Sequence, residues 1–191
     1  MRWFWVVTTL LVLSAGSVEA QPAAGGAPVY RLNPGDVVRI SVWREEELLR
    51  EARIQPDGTV SYPLAGSVPA AGRTPDQVAE VIADELEQFI PDAVVTVELL
   101  EAQGYRIYVI GEVNRPGEYQ LSQPITVMQA LSIAGGLTPF AGENGIRILR
   151  TQTEQQMSLA FDYDAVTGDG NLQKNIFLEA GDTVIVPASF F

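Results

Sequence analysis

The fold of this chain is decided by the stretch Val109-Ile110-Gly111-Glu112-Val113-Asn114-Arg115-Pro116-Gly117-Glu118-Tyr119-Gln120-Leu121. Pro116 presets φ at the second position of a type II turn, and Gly117 is expected to supply the positive φ required at the third. Tyr105, Ile107 and Val109 before this turn, and Tyr119 and Leu121 after it, recur with a period of two residues. The pattern predicts a β-hairpin with one buried face.

A short helix is predicted directly after this hairpin, over residues 126–134. Thr126 and Gln129 form a Thr-x-x-Gln capping box, and Gly135-Gly136 can end the helix through a left-handed residue. A helix this short is marginal by itself. We therefore expect it to pack on the hairpin.

Composition excludes several functional classes. The chain has 191 residues, of which 47% are hydrophobic, so it can form a folded core. It contains no Cys and no His, which rules out disulfides, thiolate metal sites and histidine-based catalysis. The formal charge of −12 opposes binding to nucleic acid.

The N-terminus has the pattern of a secretory signal over residues 1–20: Arg2, then an apolar run, then a small-residue cleavage site at Val18-Glu19-Ala20. Cleavage would leave Gln21 as the first residue, and the alternative is an uncleaved anchor. Residues 21–29 have the composition of a linker.

The first folded unit begins near Tyr30. Asn33-Pro34-Gly35-Asp36 predicts a type II turn that leads into a strand over residues 37–43. The run Glu45–Glu47 predicts a solvated loop or helix start. Gln55-Pro56-Asp57-Gly58 predicts a type I turn, joining Arg53-Ile54 to residues 59–62 in a second hairpin.

A longer helix follows this unit. Thr74, Pro75 and Gln77 predict its start through a second capping box with proline at the first helical position. Apolar residues recur at helical spacing, at Val78, Ile82, Leu86 and Phe89. Pro91 is expected to end this helix, and residues 93–100 are expected to return to the sheet.

The C-terminal third repeats an earlier motif. Residues 146–149 and 157–161 predict two strands, and residues 162–174 are expected to be irregular. The segment from Leu178 through Gly181-Asp182 to Pro187 then repeats the pattern of the segment that starts at Leu32. Internal duplication and shared turn physics both account for this similarity. The residues expected to shape the backbone are Pro34, Gly35, Asp36, Asp57, Gly58, Gly111, Pro116, Gly117, Tyr119, Gly135, Gly136, Gly181 and Asp182.

Taken in order, these segments resemble the bacterial polysaccharide export family of the capsule and exopolysaccharide translocon. Segments 32–36, 56–60 and 74–89 are similar to its N-terminal export domain. Segments 111–119, 130–138 and 181–187 are similar to its soluble-ligand-binding β-grasp domain. The resemblance implies an α+β fold with two small tandem domains, at residues 30–101 and 102–187, followed by a tail at 188–191.

The same resemblance implies transport of a polysaccharide without catalysis, cofactor or metal. It implies a homo-oligomeric ring in the periplasm, associated with the outer membrane, and an inner-membrane co-polymerase or chain-length protein as a partner. Large family members carry a lipidated Cys and a C-terminal pore helix, and neither is present here. A separate outer-membrane pore protein is therefore expected. The alternative is a monomeric periplasmic carbohydrate-binding or regulatory module; a DNA-uptake role is disfavoured by the charge.

Four residues are candidates for contact with a neighbouring subunit or a sugar. Trp43 and Tyr108 are aromatic residues that strand alternation can leave exposed, although core packing is the alternative. Asn114 and Arg115 lie at the expected tip of the central turn. The alternative for this pair is an ordinary solvated turn.

Overall fold

The computed structural model describes residues 28–152, 155–168 and 170–189. The predicted signal segment, most of the predicted linker and the terminal Phe190-Phe191 lie outside the described residues. The chain forms two tandem α+β domains, each with its own cluster of buried hydrophobic side chains. The boundaries of these domains at 30–101 and 102–187 stay a prediction.

The first domain contains, in chain order, β1 (Val37–Val42), β2 (Glu45–Arg53), β3 (Thr59–Tyr62), β4 (Gly66–Pro69), α1 (Pro75–Leu86) and β5 (Val95–Glu101). β1 is the central strand of a three-stranded sheet and pairs antiparallel with β2 and β5. β3 and β4 form a separate hairpin. Val78, Ile82 and Leu86 of α1 are fully buried in the core, as their helical spacing predicts.

Two predictions for the first half of this domain are wrong. The turn at 55–58 forms, with the Gly58 N–H donating to the Gln55 carbonyl at 2.9 Å. However, β3 pairs with β4, because the chain folds back at residues 63–65, directly after β3, with positive φ at Leu64 and Gly66. The acidic run Glu45–Glu47 is the beginning of β2. Its charged side chains are tolerated because β2 is an edge strand with exposed side chains.

The end of α1 also differs from the prediction. Both bonds of the Thr74/Gln77 capping box are present, but the helix ends at Leu86, before Pro91. The N–H groups of Phe89 and Ile90 both donate to the Leu86 carbonyl at 2.8 Å, so the chain leaves the helix in a tight turn. Phe89 lies beyond the helix and is 52% exposed.

The second domain contains β6 (Arg106–Gly111), β7 (Gly117–Gln120), α2 (Val127–Ile133), β8 (Arg147–Gln152), β9 (Gln155–Ala160), α3 (Tyr163–Thr167) and β10 (Thr183–Val186). Its five-stranded sheet has the order β7-β6-β10-β8-β9. β6 and β10 are parallel at the centre, and the other neighbours are antiparallel. With α2 packed on one face, this is the β-grasp arrangement. The capping box and the bounds of α2 confirm the predicted helix.

The central hairpin forms with β6 and β7, and Ile107 and Val109 are fully buried. However, Gly117 does not adopt the predicted positive φ, because it is the first residue of β7 and pairs with Val109. The positive φ belongs to Gly111, at +93°. A Cβ there would lie 1.9 Å from the Val186 carbonyl oxygen, so close approach of two backbones requires this glycine.

The predicted irregular segment 162–174 contains the short helix α3. The Asp162 side chain accepts a hydrogen bond from the Ala165 N–H at 3.0 Å and caps its start. Ala165 and Val166 bury their side chains. Packing by these two small residues explains why a polar segment still contains a helix.

Candidate functional site

The Pro34-Gly35 turn is part of the junction between the two domains. Its last residue, Asp36, is fully buried, and its carboxylate accepts hydrogen bonds from three donors. These are the Tyr30 hydroxyl at 2.8 Å, the Asn33 N–H at 2.8 Å and the Gly104 N–H at 2.7 Å. Since Gly104 lies in the connection between β5 of the first domain and β6 of the second, Asp36 holds this connection in place.

Close packing supports this junction. A Cβ on Gly104 would lie 2.4 Å from the Pro34 carbonyl oxygen, so no larger residue fits without a shift of the backbone. The rings of Tyr30 and Tyr105 are 5.9 Å apart between centroids. Burial of the Tyr30 hydroxyl raises the pKa of this side chain far above its ordinary value, so Tyr30 keeps its proton, and the hydrogen bond to Asp36, at alkaline pH where an exposed tyrosine would ionise.

A second turn of the same construction lies at 179–182. Gly181 has φ +88°, the Asp182 N–H donates to the Glu179 carbonyl, and the Asp182 carboxylate accepts the Glu179 N–H at 2.8 Å. The turn at 33–36 has the same three features, with Gly35 at φ +99°. The repeated sequence pattern of the two segments therefore corresponds to two turns of the same structure. Duplication and shared turn physics still both account for it.

At the second turn, Arg150 is the residue from outside the turn that donates hydrogen bonds to the buried aspartate, as Gly104 does at the first turn. Its guanidinium donates to Asp182 at 2.6 and 2.9 Å and to Glu179 at 2.6 Å. The hydrogen bonds to Asp182 raise the pKa of Arg150 above its ordinary value. Because Arg150 lies on the core side of β8, this ion pair neutralises an otherwise uncompensated buried carboxylate.

The turn at 55–58 is built differently. The Asp57 carboxylate is exposed and accepts hydrogen bonds from the Thr59 N–H at 2.9 Å and the Thr59 hydroxyl at 2.8 Å. These hydrogen bonds hold the pKa of Asp57 below its usual range. Gly58 has φ +83°. Gly58 itself is buried, and a Cβ there would lie 2.9 Å from the Ala71 Cβ, so both residues shape a turn within the first domain.

Asn114 and Arg115 are exposed, as expected, but their polar groups are already engaged. The Asn114 side-chain amide donates to the Gly135 carbonyl at 2.8 Å, and the Arg115 guanidinium donates to the Ile133 carbonyl at 2.6 Å. The Arg115 N–H also donates to the Ala134 carbonyl. These bonds satisfy carbonyls at the C-terminus of α2, so the pair is a helix cap. Contact with a neighbouring subunit stays a prediction.

The two aromatic candidates are at the surface. Trp43 is 72% exposed in the turn between β1 and β2, where Arg44 has a positive φ of 69°. Tyr108 is 38% exposed on the face of the five-stranded sheet opposite α2. Their exposure agrees with strand alternation. Their contact with a sugar or a neighbour stays a prediction.

A cleft of about 500 Å³ lies between the domains. Arg31 and Tyr105 line it, but Arg31 donates to the Gly72 carbonyl and Tyr105 donates to the Leu178 carbonyl. These polar groups are used by the fold. In the ranges 28–152, 155–168 and 170–189, no group of three or more acidic side chains is arranged to hold a metal ion, and no helix is both long and apolar enough to cross a bilayer.

Sequence reasoning missed Gly104 and Arg150, which hold the two buried aspartates. Gly104 offered a weak signal, as a glycine between two strand patterns, but nothing nearby in sequence identifies its partner 68 positions away. Arg150 offered a stronger signal. It is a charged residue in an apolar alternation, on the same face as Ile148.

Two family models match the chain in succession. The model described as "Polysaccharide biosynthesis/export protein" matches residues 24–100, and the model described as "SLBB domain" matches residues 105–186. The first covers the part of the chain that forms the first domain, and the second covers the β-grasp part.

Curated relatives agree with these matches. The chain is 29% identical to the EPS I polysaccharide export outer membrane protein EpsA of Ralstonia nicotianae, over 89% of this chain and 50% of the relative. It is 32% identical to the exopolysaccharide production protein ExoF of Rhizobium meliloti, over 74% of this chain and 36% of the relative. It is 29% identical to the polysialic acid transport protein KpsD of Escherichia coli, over 89% and 30%.

The chain thus spans half or less of the length of these relatives. The two matched domains nevertheless occur in the order that the sequence segments predict, and each coincides with one of the two hydrophobic cores. From its domains and its relatives, the chain belongs to the polysaccharide export family.

Proposed function

We propose that this protein is a component of a capsule or exopolysaccharide export system, located in the periplasm and associated with the outer membrane. The observation that carries the proposal is the succession of an export domain and an SLBB domain over residues 24–186. The role is transport: the protein forms an oligomeric ring that conducts the polymer toward the outer membrane and makes or breaks no bond in it.

The junction at Asp36 supports a role in a ring. A subunit that must keep its neighbours in register needs domains that do not swing freely. Here a buried carboxylate, a glycine that excludes side chains and a pair of tyrosine rings join the two domains. Each subunit would therefore enter the assembly as one body.

The strongly acidic composition supports the same role. With a formal charge of −12, the surface repels an acidic polysaccharide, which would keep the polymer from adhering to the channel wall. Partners are part of the proposal: a separate pore protein in the outer membrane and an inner-membrane protein that controls polymer synthesis or chain length. They would be recovered together with this protein by gentle detergent extraction and affinity purification.

The test is deletion of the gene in its own host, with measurement of secreted and cell-retained polysaccharide. We expect secreted polymer to fall to background and to recover when the wild-type gene is supplied again. Native mass spectrometry of the purified protein is expected to give a large closed oligomer. Undiminished secretion would refute the proposal. A purified monomer that binds oligosaccharide would instead support the carbohydrate-binding alternative.

A further inference from the structure

Both edges of the five-stranded sheet lack net charge. β9 contains no charged residue, and on β7 the single charged residue, Glu118, lies 3.2 Å from Arg106 in an ion pair. The edges of the other sheet are different: β2 carries six charged side chains and β5 carries Glu98 and Glu101. In a chain of charge −12, neutral edges are where a second copy can approach without repulsion.

Within the described part of the chain, the free edge of β9 presents unpaired backbone N–H and C=O groups along its length. The Phe161 N–H donates to the Ile146 carbonyl, and β8 and β9 continue in unbroken register from there. Bonded and non-bonded pairs alternate in an antiparallel ladder. The backbone groups of Gln156, Ser158 and Ala160 therefore point away from β8. β9 is the last strand in the sheet order, and five of its six side chains are exposed.

The free edge of β7 is similar. The Leu121 N–H donates to the Tyr105 carbonyl in the ladder between β6 and β7. By the same alternation, the backbone groups of Glu118 and Gln120 point away from β6. The edge of β7 therefore presents two residues for pairing, against three on β9.

Strand directions make these two edges complementary between copies. β7 runs opposite to β6, whereas β9 runs in the same direction as β6, because β10 is parallel to β6 and two antiparallel steps follow. When two copies lie side by side in the same orientation, β9 of one therefore meets β7 of the next as an antiparallel strand. Antiparallel strands form the more stable ladder.

We propose that β9 of each copy pairs with β7 of the next copy, so that the five-stranded sheet continues from subunit to subunit. The contact is head-to-tail, and the twist between strands turns each copy relative to the last, which allows a closed ring. The inference rests on the proposed function and names the surface that builds its ring. On the outer face, exposed Tyr108, Ile110 and Leu149 would become part of one continuous surface.

Engineered cysteines test the contact directly, because the chain contains no natural Cys. Ser158→Cys combined with Gln120→Cys places one thiol on each edge. Within one subunit the two edges are four strand spacings apart, about 19 Å, too far for a disulfide. A short bismaleimide can join the two thiols even if the strands pair in a register shifted by a residue or two. Between copies it should give a ladder of covalent dimers, trimers and larger products on denaturing gels.

The outcomes separate this inference from the proposed function. Ser158→Cys alone should give no cross-link; a dimer from this single variant would show two-fold pairing of β9 and overturn the inference. A native oligomer without a cross-linked ladder would also overturn it while leaving the ring intact. A monomeric wild-type protein at all concentrations would remove the ring and the inference together.

A backbone variant provides a second measurement. Ser158→Pro removes an N–H that points away from β8, so the ladder to β8 survives and the edge is blocked. We expect its assembly to require a roughly tenfold or higher protein concentration, from lost hydrogen bonds and steric exclusion. Ser158→Ala, the control, should assemble like wild type. Unchanged assembly of folded Ser158→Pro, checked by circular dichroism, would contradict the proposal.

Discussion

The carboxylate of Asp36 accepts a hydrogen bond of 2.7 Å from the backbone N–H of Gly104, 68 positions later in the chain. Asp36 belongs to the first domain, Gly104 lies in the connection that leads into the second, and both are placed by local features. Asp36 follows a Pro-Gly turn, and Gly104 is held where no Cβ fits. Their hydrogen bond fixes the connection between the domains and so helps to set the orientation of one domain relative to the other.

Replacing Asp36 by Ala should lower the free energy of unfolding by about 3 kcal/mol, because it leaves three buried donors without their acceptor. The measurement is urea unfolding followed by far-ultraviolet circular dichroism. Asp57→Ala is the matched control, since Asp57 also closes a turn but is exposed. Equal losses in the two variants would contradict the assigned role of burial.

Replacing Gly104 by Ala should loosen the junction more than it weakens either domain. The new Cβ would overlap the Pro34 carbonyl oxygen, so the hydrogen bond to Asp36 must lengthen or break. We expect differential scanning calorimetry to resolve two transitions, or one broadened transition, where the wild type has a sharper one. Gln103→Ala, one residue earlier, should leave the transition shape unchanged. A sharp single transition in both variants would speak against coupling through Gly104.

Replacing Gly111 by Ala should destabilise the protein by about 2 to 4 kcal/mol, because positive φ and the Val186 carbonyl both exclude a side chain. Gly117→Ala is the matched comparison within the same hairpin. A Cβ at position 117 meets nothing within 4 Å, so this variant should stay within about 1 kcal/mol of wild type. Chemical unfolding of both variants is the measurement. A larger destabilisation by Gly117→Ala than by Gly111→Ala would instead support the type II turn predicted at Pro116-Gly117.

Replacing Arg115 by Ala should lower stability by about 1 kcal/mol, because a carbonyl at the end of α2 loses its donor. Arg115→Glu should lower it further, since a negative charge then lies near the C-terminus of a helix. Thermal unfolding measures both effects, with Trp43→Ala as an exposed control. If Arg115→Glu abolishes assembly while folding stays normal, Arg115 is an interface residue as well as a cap.

Tyr105 should make stability fall at alkaline pH. Burial of its hydroxyl raises the pKa from 10.0 to about 12. Between these values the unfolded chain releases a proton that the folded chain keeps, so this contribution is complete below pH 10 and is lost as pH rises toward 12. Tyr105→Phe should show a shallower alkaline decline in urea unfolding, with exposed Tyr108→Phe as control. Identical alkaline slopes for wild type and Tyr105→Phe would refute the assignment.

Much of the fold is predictable from the sequence because its signals are local. Proline and glycine at fixed turn positions predict the turns at 33–36 and 55–58, since φ preferences act within four residues. The two Thr-x-x-Gln boxes predict both longer helices for the same reason. Alternation predicts that Ile107 and Val109 are buried.

Strand pairing was less predictable, because each strand has several compatible partners. The sequence around Gln55–Gly58 permits a hairpin with the strand before it, yet β3 pairs with β4, because the chain folds back directly after β3 at Leu64 and Gly66. The predicted positive φ at Gly117 was wrong because it also depends on contacts between distant parts of the chain. Only the approach of Val186, 75 positions after Gly111, shows which glycine is needed.

The sequence by itself therefore determined the turns at 33–36 and 55–58 and the two longer helices, because these depend on neighbours along the chain. The succession of two α+β domains was predicted through the order of the segments that resemble the family. Tertiary structure alone decided which strands form the sheet edges and which donors reach Asp36 and Asp182. It also brought the side chains of Asn114 and Arg115 to the carbonyls at the end of α2, where they donate hydrogen bonds. These outcomes depend on contacts between residues far apart in sequence, whose positions are set only when both hydrophobic cores have formed.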